Sequence, residues 1–245
     1  MSAWCTPARA ISVTSFCALL WVAGCGNPEV QQTSTVMESR RVTVDSCDLH
    51  YLEVTPPVHA GVNPDQPGRN AQRQTVVLLH GARFSAETWR ELGTLEVLAD
   101  AGFRVLALDL PRFGKSTGEP PSDRAGFLAK ALIQLDAVPC ALLSPSMSGG
   151  YAMPYLLQHP DRISHFLPVA PVGIQDNLEG LAKVSVPTLA LWGENDQVIP
   201  LDLGRLLVQT MPNAELRVFA DAPHPCYLQA TEEFHSAVID FLAAD

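Results

Sequence analysis

Three serines stand at alternate positions in LLSPSMSGGY, Leu142 to Tyr151: Ser144, Ser146 and Ser148. A serine hydroxyl is a weak nucleophile at neutral pH. It needs a base to take its proton, a third group to orient that base, and N–H donors aimed at the developing oxyanion. A strand that turns sharply into a helix exposes such a serine, provided small residues lie two before and two after it. Ser146, between Ser144 and Ser148, meets that condition. So does Ser148, between Ser146 and Gly150. The apolar run CALL ends at Leu143, where the strand is expected to stop, and this favours Ser146. Choosing Ser148 puts Pro145 late in the strand, where a ladder N–H is wanted. Ser148 remains the alternative nucleophile. With Ser146 as nucleophile, the Met147 N–H becomes one oxyanion donor, and Ser148-Gly149-Gly150 opens the helix.

Two further segments carry the partners such a serine requires. GEND follows the apolar run LALW and offers Asp196 as the orienting acid, with Glu194 a weaker candidate. DAPHPCY follows LRVF and offers His224 between Pro223 and Pro225. The order Ser146, Asp196, His224 is that of α/β-hydrolases. HGARF supplies the second oxyanion donor, the N–H of Ala82, with Gly81 permitting close backbone approach. His80 is expected to stabilise its turn. Arg83 is expected to brace a loop, with recognition of a substrate carboxylate as the alternative. Asp109 in DLPRFGKS is expected to tie down its own turn. Cys226, two residues from His224, is read as a packing residue.

The elements that must position these residues alternate along the chain. RRVTVDS and LHYLEVT read as two paired strands. TVVLLHG, RVLALDLP, CALLSPS, SHFLPVAP, PTLALWG and ELRVFADA read as buried strands. Between them, AETWRELGTLEVLADAG, SDRAGFLAKALIQLDA, GGYAMPYLLQHP and LDLGRLLVQTMP have helical spacing, and TEEFHSAVIDFLAA closes the chain. The fold class expected is α/β: a doubly wound, mostly parallel sheet flanked by helices, with minimal or no cap. Each chemically unusual cluster falls at the carboxyl end of a strand, where such sheets bind ligands. Few residues separate SHFLPVAP from PTLALWG, so a long lid is not expected and a small, open pocket is.

HGARFSAETW, LGTL, DLPRFGKS, LLSPSMSGGYAMPYL, VAP and APHPCYL resemble the alpha/beta-hydrolase domain-containing protein 14 subfamily, from about Val76 to the C-terminus. That subfamily has a Ser-x-Ser-x-Ser elbow whose middle serine is the nucleophile. The resemblance implies Ser146 in that role, with Asp196 and His224. It also implies a small serine hydrolase or acyltransferase acting on short acyl groups.

The N-terminus differs from the rest. ISVTSFCALLWVAG is an apolar run too short for a membrane span but suited to a signal peptide. It runs into VAGC, Val22 to Cys25, which resembles a bacterial lipobox. The resemblance implies cleavage before Cys25, acylation of that residue and anchoring in the cell envelope, at the outer membrane facing the periplasm. The expected organisation is a leader over residues 1–24, a tether over 25–37 and a hydrolase domain over 38–245. With 47% hydrophobic and 17% charged residues, the chain can fill a core and is not disordered. A net charge of −10 without a Lys/Arg cluster excludes a nucleic-acid partner. Cys47, Cys140 and Cys226 are scattered and show no metal spacing. No metal or cofactor is expected, and the oligomeric state is left open. The expected function is a carboxylesterase-type serine hydrolase cleaving short-chain esters or related acyl bonds. The alternatives are an acyltransferase or deacetylase with a non-water acceptor, and a non-catalytic binding module.

Overall fold

The computed structural model describes residues 36–56 and 74–244. The expected leader, Cys25 and nearly all of the tether lie outside the described residues. The strands are β1 (Val36–Val44), β2 (Cys47–Thr55), β3 (Thr75–Leu78), β4 (Arg104–Leu108), β5 (Cys140–Pro145), β6 (Ile163–Val169), β7 (Thr188–Gly193) and β8 (Ala214–Phe219). They form one sheet in the order β1-β2-β4-β3-β5-β6-β7-β8. β1 and β2 make an antiparallel hairpin in which Val44 faces Cys47. β2 pairs antiparallel with β4, and every other pairing is parallel. The strand order reverses between β3 and β5. In an open α/β sheet this opens a crevice at the carboxyl ends of those two strands.

Parallel strands bury both faces, and successive side chains point to opposite sides. Val76 and Leu78 therefore join one core, and Val77 and Leu79 the other. The first is covered by α1 (Ala86–Glu91), α2 (Thr94–Asp100) and α7 (Thr231–Leu242), through Trp89, Leu95, Leu98, Phe234 and Val238. The second is covered by α3 (Arg124–Gln134), α4 (Gly149–Gln158) and α6 (Leu201–Thr210), through Leu128, Leu132, Tyr151, Tyr155 and Leu207. Between β6 and β7 there is only a short 3₁₀ turn and α5 (Leu178–Leu181). Among the described residues no helical cap is inserted there.

Two elements differ from expectation. The helix expected over AETWRELGTLEVLADAG is two helices, α1 and α2, because Gly93 adopts φ 70 and breaks the repeat. β5 runs to Pro145 instead of stopping at Leu143, since Ser144 and Pro145 stay in register with Pro168 and Val169 of β6. The proline is tolerated because it is the last residue of the strand, where the ladder ends.

Candidate active site

Ser146 is the first residue after β5. It has φ 51, in the left-handed region that non-glycine residues rarely occupy. A tight turn over Ser146–Ser148 leads directly into α4. The sequence permits this turn for two reasons. A Cβ on Gly149 would lie 2.4 Å from the Val172 carbonyl oxygen, so only glycine lets the helix start against the chain leaving β6. The Ser146 carbonyl is also fixed there, accepting the Val172 N–H at 3.0 Å. Ser144 and Ser148 are fully buried beneath the turn. The Ser148 hydroxyl donates to the Pro145 carbonyl at 2.8 Å and lies 3.0 Å from the Ser144 hydroxyl. Ser148 is thus committed to the turn's own hydrogen bonds, while Ser146 is half-buried and free to face solvent.

The structure brings the Ser146 Oγ within 3.0 Å of His224 Nε2, and His224 Nδ1 within 2.7 Å of an Asp196 carboxylate oxygen. A carboxylate only accepts, so Nδ1 carries the proton and Nε2 is left to accept from the serine hydroxyl. The other Asp196 oxygen accepts the N–H groups of Val198 and Ile199, each at 2.8 Å. Burial pushes the Asp196 carboxyl up, but the hydrogen bonds from His224, Ile199 and Val198 outweigh it and hold the group below its ordinary value. The two backbone donors were not foreseen. An aspartate ahead of two free N–H groups in GENDQVIP is the local signal that could have found them.

HGARF follows β3, beside β5. Phe84 N–H closes a turn onto the Gly81 carbonyl at 3.1 Å, leaving Ala82 and Arg83 at its corner. A Cβ on Gly81 would sit 3.5 Å from that of Ser146, so this backbone passes close to the serine. Met147 follows Ser146 in the first turn, where N–H groups lack intrahelical acceptors. His80 is fully buried. Its Nδ1 donates to the Gly81 carbonyl at 2.8 Å, and its Nε2 accepts the Leu110 N–H at 3.0 Å. Burial lowers its pKa, so it is a neutral brace that ties the HGARF loop to the turn after β4.

The remaining candidates fall away from the serine. Glu194 is exposed and accepts the Asp221 N–H, leaving Asp196 alone on His224. Arg83 is exposed, and among the described residues no hydrogen bond or ion pair from it is seen. Asp109 accepts the Lys115 N–H within its own turn, as expected, and also the N–H of Ala86 at the start of α1. Cys226 is buried, and burial pushes its thiol up to about 12, so it is a packing residue and not a thiolate. Cys47, Cys140 and Cys226 are all free thiols. Among the described residues no group of His, Cys, Asp and Glu is arranged to hold a metal ion.

A mostly parallel sheet with a serine at a strained strand-to-helix turn, an acid after β7 and a histidine after β8 defines the α/β-hydrolase class. Residues 74–180 match the family model described as alpha/beta hydrolase fold. The chain belongs to that family, and its relatives are ABHD14-like. It is 36% identical to "Protein ABHD14A" of Homo sapiens, over 91% of this chain and 82% of the relative. It is 38% identical to the human protein named "Putative protein-lysine deacylase ABHD14B", over 72% of this chain and 86% of the relative. Among solved structures, a "predicted CIB-like hydrolase" of Thermoplasma acidophilum superposes with a TM-score of 0.75 at 22% identity, covering 85% of this chain and 99% of that one. At that identity the superposition shows the fold alone.

Proposed function

We propose that this protein is a serine hydrolase that cleaves short-chain carboxylic esters or related small acyl bonds through an acyl-enzyme. The observation that carries it is the continuous hydrogen-bonded chain from Ser146 through His224 to Asp196, on a serine held at φ 51. His224 Nε2 takes the hydroxyl proton as Ser146 Oγ attacks the acyl carbon. The N–H groups of Ala82 and Met147 hold the oxyanion. His224 then passes its proton to the leaving group, while Asp196 stabilises the imidazolium. Water, activated by the same histidine, releases the acid and restores the serine.

A cleft near the triad is the candidate pocket for the acyl group. This cleft of about 220 Å³ has Val172, Ile174, Val198 and Leu203 among its apolar lining, with Gln175 and Asp176 as polar neighbours. Val172 and Val198 are exposed. Their backbones are the ones tied to Ser146 and Asp196, which places small apolar walls next to the chemistry. Amide acyl bonds are within reach of the same machinery. The name of the human ABHD14B relative favours a lysine side-chain amide as a second substrate class.

The test is hydrolysis of p-nitrophenyl acetate and of an acetyl-lysine peptide by the wild type and Ser146→Ala. Turnover of neither substrate by the wild type, or turnover unchanged by S146A, overturns the proposal. The VAGC motif supports a lipid anchor at Cys25, with the domain held in a bacterial envelope, at the outer membrane facing the periplasm. Cys25→Ser is expected to move the protein from the membrane to the soluble fraction. A wild type found only in the soluble fraction rules the anchor out.

A further inference from the structure

A second serine–histidine–aspartate chain lies outside this site. His50, in β2, places Nδ1 2.8 Å from an Asp109 carboxylate oxygen and Nε2 2.8 Å from the Ser39 hydroxyl. The order of groups is that of the first site, although the Asp109 oxygen facing His50 also accepts the Lys115 N–H, whereas the Asp196 oxygen facing His224 accepts no backbone N–H. Asp109 accepts two backbone N–H groups, from Ala86 and Lys115, as Asp196 accepts those of Val198 and Ile199. Its carboxylate can only accept, so the proton sits on Nδ1 and Nε2 is the acceptor facing the hydroxyl. Asp109 and His50 are buried, at 2% and 3% exposure, whereas Ser39 is exposed. A brace between the hairpin and the turn after β4 would need only the buried pair. Here the pair ends on a solvent-facing hydroxyl in a surface cleft of about 550 Å³, lined also by Lys115 and by the paired side chains of Arg90 and Glu87.

We propose that Ser39 is a second acyl-accepting nucleophile, activated by His50 and Asp109, which takes an acyl group from small activated donors. Ser39 Oγ attacks the acyl carbon and its proton passes to His50 Nε2. The bond from the acyl carbon to the leaving oxygen breaks, and the leaving group departs as an anion on the Lys115 side of the cleft, since Arg90 is already paired with Glu87. The proton returns to solvent from His50, leaving Ser39 as an ester. Water can release the acid by the reverse proton path. The strand position lacks the strained turn of Ser146, so this site is slower, and its acyl-serine persists longer.

The experiment uses the full chain carrying S146A, incubated with p-nitrophenyl acetate, with acetylated peptides mapped by mass spectrometry over time. Ser39 is expected to acetylate at least about tenfold faster than the exposed Ser122 and Ser236, a threshold set below the roughly 10²-fold lower end of general-base assistance. S146A/S39A is expected to lose that adduct at an unchanged Tm. S146A/H50Q, checked by circular dichroism, is expected to slow Ser39 towards the rate of Ser122. Ser39 reacting no faster than Ser122 and Ser236 overturns the proposal, as does an H50Q rate equal to that of S146A alone. S39A in an otherwise native chain is expected to keep turnover at Ser146. A chain with an inert Ser146 and a reactive Ser39 would therefore refute the proposed function and leave this site standing.

Discussion

Ser146 holds a conformation that costs on the order of 1–3 kcal/mol, sustained by the packing of α4 and the Val172 N–H on its carbonyl. Ser148, two residues on, is fully buried and spends its hydroxyl on Pro145. Labelling with a fluorophosphonate separates the two. S146A is expected to lose the fast label. S148A is expected to keep it, while losing about 1–2 kcal/mol of stability from the missing hydrogen bonds, read by urea denaturation. Asp196→Asn keeps the shape but cannot enforce the Nδ1–H tautomer. Its kcat is expected to fall by about 10⁴. The same residue sets an acid limit. Its folded pKa is depressed, so its contribution to stability is fully present above the ordinary carboxylate value of about 4, and is lost as pH falls through the lower folded value. The stability gap between wild type and D196N should therefore be constant above about pH 4 and narrow below it. A gap that widens on acidification would contradict the depressed pKa.

Two glycines separate what the elements need from what the site needs. Gly149→Ala drives a methyl into the Val172 carbonyl, 2.4 Å away, at the point where α4 begins. The expected cost is about 1–3 kcal/mol together with a fall in kcat, because the same backbone carries Ser146. Gly93→Ala meets nothing within 4 Å and strains only its own φ of 70. It should cost about 1–2 kcal/mol, seen as a lower Tm, with kcat unchanged. Equal kcat losses in both would mean that the elbow is no more sensitive than a remote helix break. The strands were legible because a parallel sheet writes its burial as short apolar runs, and TVVL and TLAL can hardly be anything else. The end of β5 was not. CALL stops being apolar at Leu143, but pairing with β6 carries Ser144 and Pro145 two residues further, and a neighbour's register is invisible in a local run. Small-residue spacing allowed both Ser146 and Ser148, and the strand end chosen to separate them lay two residues short, so what sets Ser146 apart is its place directly after β5 and its contact with His224. The Ser39–His50–Asp109 chain was illegible for the same reason as the strand end. It is assembled by the hairpin register and by the β2–β4 pairing, which bring together residues 11 and 59 positions apart.

At the scale of the molecule, the crevice at the β3–β5 reversal gathers residues from four strand ends. Ala82 follows β3, Ser146 follows β5, Asp196 follows β7 and His224 follows β8. That convergence is why scattered motifs could be joined before the fold was known: one sheet topology accounts for all four positions. What covers the crevice is decided by the stretch between β6 and β7, where a larger hydrolase would place a helical cap and this chain places only α5. The apolar wall proposed for an acyl chain is the cleft of about 220 Å³ beside Val172 and Val198. Each buried CH₂ should add up to about 0.8 kcal/mol until that cleft is filled, and nothing beyond it, because further carbons stay in water. In a p-nitrophenyl ester series from acetate to decanoate, kcat/KM is expected to rise over the first few carbons and then level or fall. Val198→Trp, which narrows the cleft without touching the triad, should move that turning point to shorter chains. A kcat/KM that climbs steadily to decanoate would place the acyl chain outside this cleft.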